Sequence, residues 1–439
     1  MVGAEDLTMF EQVAIAFIDE DGYPSTIPLL TTRLNGDVKL RLPKGIADNW
    51  IERKKVNLIL NHITPIPTGG YTDRRYAVFR GLSRVMDGIV RVEVERAYTW
   101  DERVTPFPQY VEVSTARARR YLEGIGKRLG ETFKPRIGLF WSFFRTVRLP
   151  FLIATAVPVA IGTGAAFYRG FFDPLLLLLT LVGLSCIHLA LNVANDYFDT
   201  ILGADIANKR PTPFSGGSRA IIYGIVNMQE ARLIYTSFFL TGAAVGAYLA
   251  VTRGLLEISV LTCMGLFLSY FYTAPPLKLA YRGFGEIAVF LGFGPVIVLG
   301  TYFVQTQRIG LDAIISSIPI GLLIMLILYV NEIPDTPYDR EAGKMTLVTR
   351  FTKKQALGFL AGSLIATYLT ILLIPLLNLG PATILTALAS APLAYRVYRG
   401  VEHNFGDPYR MIGVMSLNVK NAAITGSLLA AGYIIGAAL

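Results

Sequence analysis

The sequence predicts two unlike parts: a small soluble β-barrel over residues 1–135, then an all-α polytopic membrane bundle of nine transmembrane helices over residues 136–439. Three observations carry this. Of the 439 residues, 53% are hydrophobic, and the mean hydropathy is +0.47. Ordinary soluble chains carry far less, so the surplus has to sit in lipid. The surplus is also unevenly placed: Arg, Glu and Asp are frequent up to about residue 135, whereas apolar runs near the ~20 residues that cross a bilayer as a helix dominate afterwards.

In the first part, VAIAFID (13–19) reads as a strand and DGYPS (21–25) as a turn. LLTTRL and DVKLRL flank Asn35-Gly36, a pair that favours the positive φ angles of a type I′ hairpin. NLILNHI, RRYAVFRGLSRV and IVRVEVERAY continue as strands, and STARARRYLEGIGKRLGETF (114–133) reads as a closing helix. Such a pattern fits a small barrel with one or two helices.

The basic, aromatic stretch IGLFWSFFRTVRLP is expected to lie along the membrane interface. Nine apolar spans follow, near 150–168, 174–195, 232–251, 255–273, 285–304, 311–331, 355–377, 380–397 and 411–437. The net charge of +9 does not indicate nucleic acid, because the cations after residue 150 fall in loops beside apolar segments and not in one basic stripe. With the N-terminus inside, Lys209, Arg210, Arg219, Arg232, Lys278, Arg282, Arg340, Lys344, Arg350, Lys353, Lys354, Arg396, Arg399 and Arg410 fall on the cytoplasmic face, against Arg169, Arg253 and Arg308 opposite. That asymmetry sets the expected orientation. MVGAEDLTMF has no apolar core of a signal peptide, so the N-terminal part is expected in the cytoplasm. Two cysteines and three scattered histidines offer neither a disulfide framework nor a Cys/His metal site.

The chemistry is expected in two acidic segments on the cytoplasmic face. In LNVANDYFDTILGAD, Asn192, Asp196 and Asp199 recur at helical spacing and share a face, with Asn195 beside them and Asp205 beyond Gly203. Carboxylates at the end of a spanning helix cost several kcal/mol unless they face a bundle interior, roughly three at the bilayer midplane, so they imply a task. In YVNEIPDTPYDREAGKMTLVTR, Asp335 and Asp339 stand one turn apart after Asn331, Pro334 and Pro337 loosen the helix, and Arg340, Lys344 and Arg350 follow. Hard oxygen ligands without thiolate or imidazole select Mg²⁺, which binds through a few carboxylates plus substrate phosphates. Two such groups with nearby cations suit the ionisation of an allylic diphosphate. Between them, KRPTPFSGGSRA contributes Lys209, Arg210 and Arg219 around Gly216-Gly217. YTAPPLKLAYRGFGE contributes Tyr272, Lys278, Tyr281, Arg282 and Glu286. Lys278 and Arg282 suit a diphosphate clamp and Tyr272 the lining of a carbocation site, although cations in these loops also serve orientation alone.

The two acidic segments resemble the paired aspartate motifs of the UbiA superfamily of intramembrane prenyltransferases. YTAPPLKLAYRGFGEIAVFLGFGPVIVLGTYFVQT is similar to the 1,4-dihydroxy-2-naphthoate prenyltransferase branch. The resemblance covers about residues 140–439. It implies nine helices around a laterally open cavity, Mg²⁺-bridged diphosphate held by Asn192, Asp196, Asp199, Asp335 and Asp339, and assistance from Lys278, Lys344 and Arg350. The substrates implied are a polyprenyl diphosphate such as geranylgeranyl diphosphate and an aromatic quinone precursor. Where the commonest first motif has its last aspartate, this chain has Gly203; Asp205 matches the naphthoate branch. The start of the chain, AIAFIDEDGYPSTIPLL, resembles pyridoxamine-phosphate-oxidase-like split barrels, which implies FMN, with Arg41 and Lys44 as candidate phosphate ligands, beside the alternative of a barrel without cofactor. Other readings are a different acceptor (a 4-hydroxybenzoate-like aromatic or a glycerol-phosphate ether lipid), a cation-coupled transporter, and a flavin-linked sensor.

Overall fold

In the computed structural model the described residues are 10, 12–34, 37–65, 71–130 and 138–439. The chain divides into two compact units, Met1–Val111 and Glu112–Leu439. In the first, seven strands among the described residues form one antiparallel sheet: β1 (Gln12–Ile18), β2 (Pro24–Pro28), β3 (Leu30–Leu34), β4 (Asp37–Arg41), β5 (Lys55–Pro65), β6 (Tyr71–Met86) and β7 (Ile89–Asp101). The order is β2-β1-β5-β6-β7-β4-β3. The two outermost strands are separated in sequence by Leu29 alone, so the chain itself draws the sheet edges together into a nearly closed barrel, consistent with a split barrel. Alternation decides which side faces in: Val13, Ile15 and Phe17 of β1 and Val56, Leu58 and Leu60 of β5 are buried together. β3 and β4 pair as predicted, with Leu34 opposite Asp37; Asn35 and Gly36 of the turn lie outside the described residues. The FMN expectation gains no support, since Arg41 and Lys44 are both exposed to solvent. The predicted helix at 114–133 begins earlier, spanning Phe107–Leu129, because Pro108 falls in its first turn, where a missing N–H costs nothing.

The second unit is helical. Leu139–Thr146 leaves Leu139, Phe140 and Trp141 largely uncovered. Among the described residues, seven helices are long and apolar enough to cross a membrane: Leu149–Tyr168, Pro174–Leu202, Met228–Arg253, Gly285–Thr306, Leu311–Glu332, Lys353–Leu376 and Met411–Ala438. Their outward faces carry exposed Leu178, Leu240, Val251 and Leu369, which lipid tolerates and water does not. Nine long spans were expected; the segments at 255–273 and 380–397 differ. The first forms the 16-residue apolar helix Leu255–Tyr270, and the second is a 3-10 stretch, Ala382–Ser390, running on into the helix Ala391–Asn404.

Two features of this bundle prepare the site. Pro295 lacks the N–H that an α-helix needs, and the Gly285–Thr306 helix widens there into a π turn over Gly292–Val296. A Cβ on Gly294 would come within 2.8 Å of the Gly321 Cα, so the helices carrying these glycines cross at a distance only small residues permit.

Candidate active site

The Pro174–Leu202 helix has 29 residues. At 1.5 Å per residue it is about 44 Å long against a hydrocarbon core of about 30 Å, so its last turns, with Asn192 to Asp199, reach the membrane boundary. Gly203, at φ 91°, ends it in a left-handed turn that brings Asp205 back beside it. Asn192, Asp196, Asp199 and Asp205 are all at least nine-tenths buried, on the face the spacing predicted.

The two acidic segments meet through the loop between them. In Ser215-Gly216-Gly217-Ser218 both glycines have positive φ, which turns successive backbone N–H groups toward carboxylates. The Ser218 N–H donates to Asp196 Oδ1 and Oδ2 at 3.2 and 3.1 Å. The Gly216 N–H donates to Asp335 Oδ2 at 3.1 Å, and Asn208 Nδ2 donates to Asp335 Oδ1 at 3.0 Å. On the other side, Lys344 Nζ lies 3.2 Å from Asp199 Oδ2, Tyr281 Oη donates to Asp199 Oδ1 at 2.7 Å, and Asn195 Nδ2 donates to Asp199 Oδ2 at 3.1 Å. Gly217 fits between two carboxylates: a Cβ there would stand 2.6 Å from Asp205 Oδ2 and 3.0 Å from Asp196 Oδ1. Gly217→Ala, strained at its positive φ as well, is expected to displace both and to lower the activity of the site at least about tenfold in a steady-state assay.

Asn192, Asp199, Asp335, Asp339 and Lys344 line one polar cleft with about 1120 Å³ of empty space. An apolar pocket of about 910 Å³ adjoins it and shares His188, Leu191, Tyr272, Val289 and Phe293 with it; Gly292 and Val296 of the π turn line that pocket too. The cleft is electrostatically unbalanced. Burial, helped by Asp196 and Asp199, holds the Asp205 carboxyl well above the usual carboxylate range. Burial pushes Asp335 up to about 6, against hydrogen bonds from Ser215, Asn208 and Gly216, and Asp339 up to about 7. Burial works against the Lys344 ammonium, but Asp199 and Asp339 outweigh it and its pKa rises well above the ordinary lysine value.

These shifts fix a sign. With folded values near 6 and 7 and unfolded values near 3.8, the native form holds more protons than the unfolded chain between them. Without divalent cation, this contribution to stability is complete at acid pH and lost as pH rises through about 6 to 7. Metal ligands must be deprotonated, so Mg²⁺ should stabilise the protein more at pH 8 than at pH 5. Thermal melts at both pH values, with and without Mg²⁺, check this; equal Mg²⁺ shifts would contradict it.

The donor set suits Mg²⁺. Among the described residues no three Asp, Glu, His or Cys side chains close on one metal position, but Mg²⁺ needs only one or two carboxylates when phosphates and water complete its shell. Once deprotonated, Asp196, Asp199, Asp205 and Asp339 would carry more negative charge than the Lys344 ammonium offsets, a surplus that a divalent cation would neutralise.

Other expected site residues are placed elsewhere. Arg219 is buried and donates to the backbone carbonyls of Asp205 and Asn208, so it braces the loop. Lys209 is exposed. Lys278 lies over the Tyr281 ring at 6.0 Å, and Arg350 donates to the Arg282 carbonyl at 2.7 Å. None of these five is in the wall of the cleft. The wall also contains Arg148, His188, Asn208 and Glu332, to which the sequence reading gave no role. His188 and Glu332 were visible as polar residues inside apolar spans; Arg148 and Asn208 carried no signal.

The UbiA prenyltransferase family matches residues 155–418. The 1,4-dihydroxy-2-naphthoate octaprenyltransferase of Bacillus subtilis is 28% identical over 308 residues, 70% of this chain and 96% of the relative. The Escherichia coli protein of the same name is 29% identical over 296 residues, 66% of this chain and 93% of its own length. A UbiA homolog from Archaeoglobus fulgidus, solved with DMAPP and Mg²⁺, is 14% identical, covers 68% of this chain and 99% of its own, and superposes with a TM-score of 0.47. Since the matched segment takes in more than half of the 439 residues and both acidic motifs, the chain belongs to the UbiA prenyltransferase family and is a multi-pass membrane prenyltransferase.

Proposed function

We propose that the protein transfers a polyprenyl group from its diphosphate to 1,4-dihydroxy-2-naphthoate in a Mg²⁺-dependent step of menaquinone formation. The observation that carries this is the junction of the two acidic segments, Asp199 with Lys344 on one side and Asp196 and Asp335 on one glycine loop on the other. Relatives named for this acceptor support its choice. Residues 136–439 form the catalytic part, with nine crossings if Leu255–Tyr270 and Ala382–Asn404 complete the set, and the cleft opens to the cytoplasm as loop charges require.

Asn192, Asp199, Asp335 and Asp339 of the cleft wall, with Asp196 behind them, would hold Mg²⁺. An ion held there would supply the positive charge that offsets the leaving diphosphate. Lys344 presents an ammonium to the same oxygens, and Lys278, Arg282 and Arg350 form a basic rim that draws in the anion. Asp196 receives its hydrogen bonds from the loop and so fixes the loop against the Pro174–Leu202 helix. The isoprenoid tail extends into the apolar pocket. Tyr272, buried where the pocket joins the cleft, offers its ring to the developing cation and excludes water.

The purified chain, incubated with geranylgeranyl diphosphate, Mg²⁺ and each candidate acceptor, should release diphosphate and, with 1,4-dihydroxy-2-naphthoate, give the prenylated naphthoquinol as the ring carboxylate leaves as CO₂. Product with 4-hydroxybenzoate or a glycerol phosphate alone would move the acceptor assignment. No diphosphate release with any acceptor would remove the reaction.

A further inference from the structure

Three hydrogen-bond acceptors at the cleft have nothing to accept from. Asn331 Oδ1, Glu332 Oε2 and Glu286 Oε2 are buried without a partner among the described residues. Asn331 and Glu332 line the cleft. Glu286, 1% exposed, lies behind Glu332 within hydrogen-bonding reach of it, and is fixed by the Leu347 N–H, which donates to Oε1 at 2.9 Å. Leaving a buried acceptor unsatisfied costs about 1–3 kcal/mol, so a native site that retains several adjacent ones is shaped for a ligand that brings donors.

The chemistry of the substrates selects which one. An ionised diphosphate carries only acceptors and has no hydrogen to give these oxygens, and an isoprenoid tail has no polar hydrogen. A phenolic ring has O–H donors. The place agrees: Glu332 shares the cleft wall with Tyr272, which also lines the apolar pocket, so a ring there meets the point where the tail joins its diphosphate. Lys344, Asp339, Tyr272 and Tyr329 are the other charged and titratable groups near the Glu286–Glu332 pair.

We infer that Glu332, backed by Glu286 and flanked by Asn331, accepts a hydrogen bond from a ring hydroxyl of the aromatic acceptor and so makes the enzyme selective for hydroxylated rings. The inference rests on the aromatic-acceptor reading above and names the residue that would enforce it. A site built to receive a hydroxyl rejects analogues without one, because its own polar atoms are then left unpaired.

The test is binding to the full chain in detergent, under anaerobic conditions and without divalent cation, by titration calorimetry. 1,4-Dihydroxy-2-naphthoate should bind at least about tenfold more tightly than 1,4-dimethoxy-2-naphthoate. In Glu332→Met, which keeps the length of the side chain and removes its acceptor oxygens, the gap should shrink below about threefold. In turnover with Mg²⁺, the same variant should raise the KM for the naphthoate about tenfold while the KM for geranylgeranyl diphosphate stays within about twofold. A gap that persists in Glu332→Met would be steric, and would overturn the inference. So would an unchanged naphthoate KM, or a variant whose only change is a higher Mg²⁺ requirement. If the methionine variant fails to fold, Glu332→Asp takes its place: it keeps the charge but withdraws the oxygen by one methylene, and is expected to show a smaller shift of the same kind. Unaltered hydroxyl selectivity in it overturns the inference too. Wild-type protein that turns over no hydroxylated aromatic removes the functional reading along with the inference; wild-type turnover with unaltered selectivity in both variants removes the inference alone.

Discussion

Asp335→Asn is expected to lower kcat for prenyl transfer by about 10²- to 10³-fold, the scale on which losing one group that stabilises transition-state charge is felt. Beyond its proposed part in holding Mg²⁺, Asp335 anchors the glycine loop. Its two oxygens accept from Asn208 Nδ2 and from the Gly216 N–H. In the asparagine variant one oxygen becomes an NH₂ that faces a donor, so the glycine loop loses an anchor on the second acidic segment. About 1–3 kcal/mol of stability should go with it. Separating the two effects requires Mg²⁺-dependent binding of a non-reactive isoprenoid diphosphate analogue to the folded variant. Loss of the Mg²⁺ dependence is expected, and undiminished turnover would remove Asp335 from the machinery. Asp196→Asn, anchored to the same loop through Ser218, should behave alike.

Lys344→Met should produce the second large effect, in activity and stability together. The ammonium and the Asp199 carboxylate are 13% and 6% exposed as side chains, 3.2 Å apart. Removing one member of a buried pair strands the other, which costs about 3–5 kcal/mol where the pair is well enclosed. The cleft also loses an ammonium proposed to face the leaving diphosphate, so kcat/KM is expected to fall about 10²-fold. A double variant, Lys344→Met with Asp199→Asn, distinguishes these contributions: it should recover much of the melting temperature and none of the activity. Recovery of both would mean that the lysine serves folding alone.

The acidic segments were legible because their signal is local. Asn192, Asp196 and Asp199 at helical spacing share a face whatever surrounds them, and only a bundle interior accepts that face at the end of an apolar helix. Strand alternation in β1 and β5 and the Asn-Gly pair between β3 and β4 were equally readable, since hydrophobic period and turn chemistry act over a few residues. The cations were harder. Sequence places Arg219, Lys278, Arg282, Lys344 and Arg350 on one side of the bundle, but which of them enters the cleft depends on packing. Lys344 pairs with Asp199, 145 residues away, whereas Arg219 turns onto the carbonyls of Asp205 and Asn208.

The amino-acid sequence by itself determined the membrane character, the two-part organisation and the pair of aspartate segments, because each follows from composition or spacing within a turn or two. Only the tertiary structure decided that Gly216 and Gly217 thread between the acids, that Pro295 opens a π turn beside the apolar pocket, and that Glu332 faces the cleft with an unpaired oxygen. Those depend on which side chains distant segments bring together. In a close-packed interior that is settled by the fit of the whole bundle and not by any local pattern.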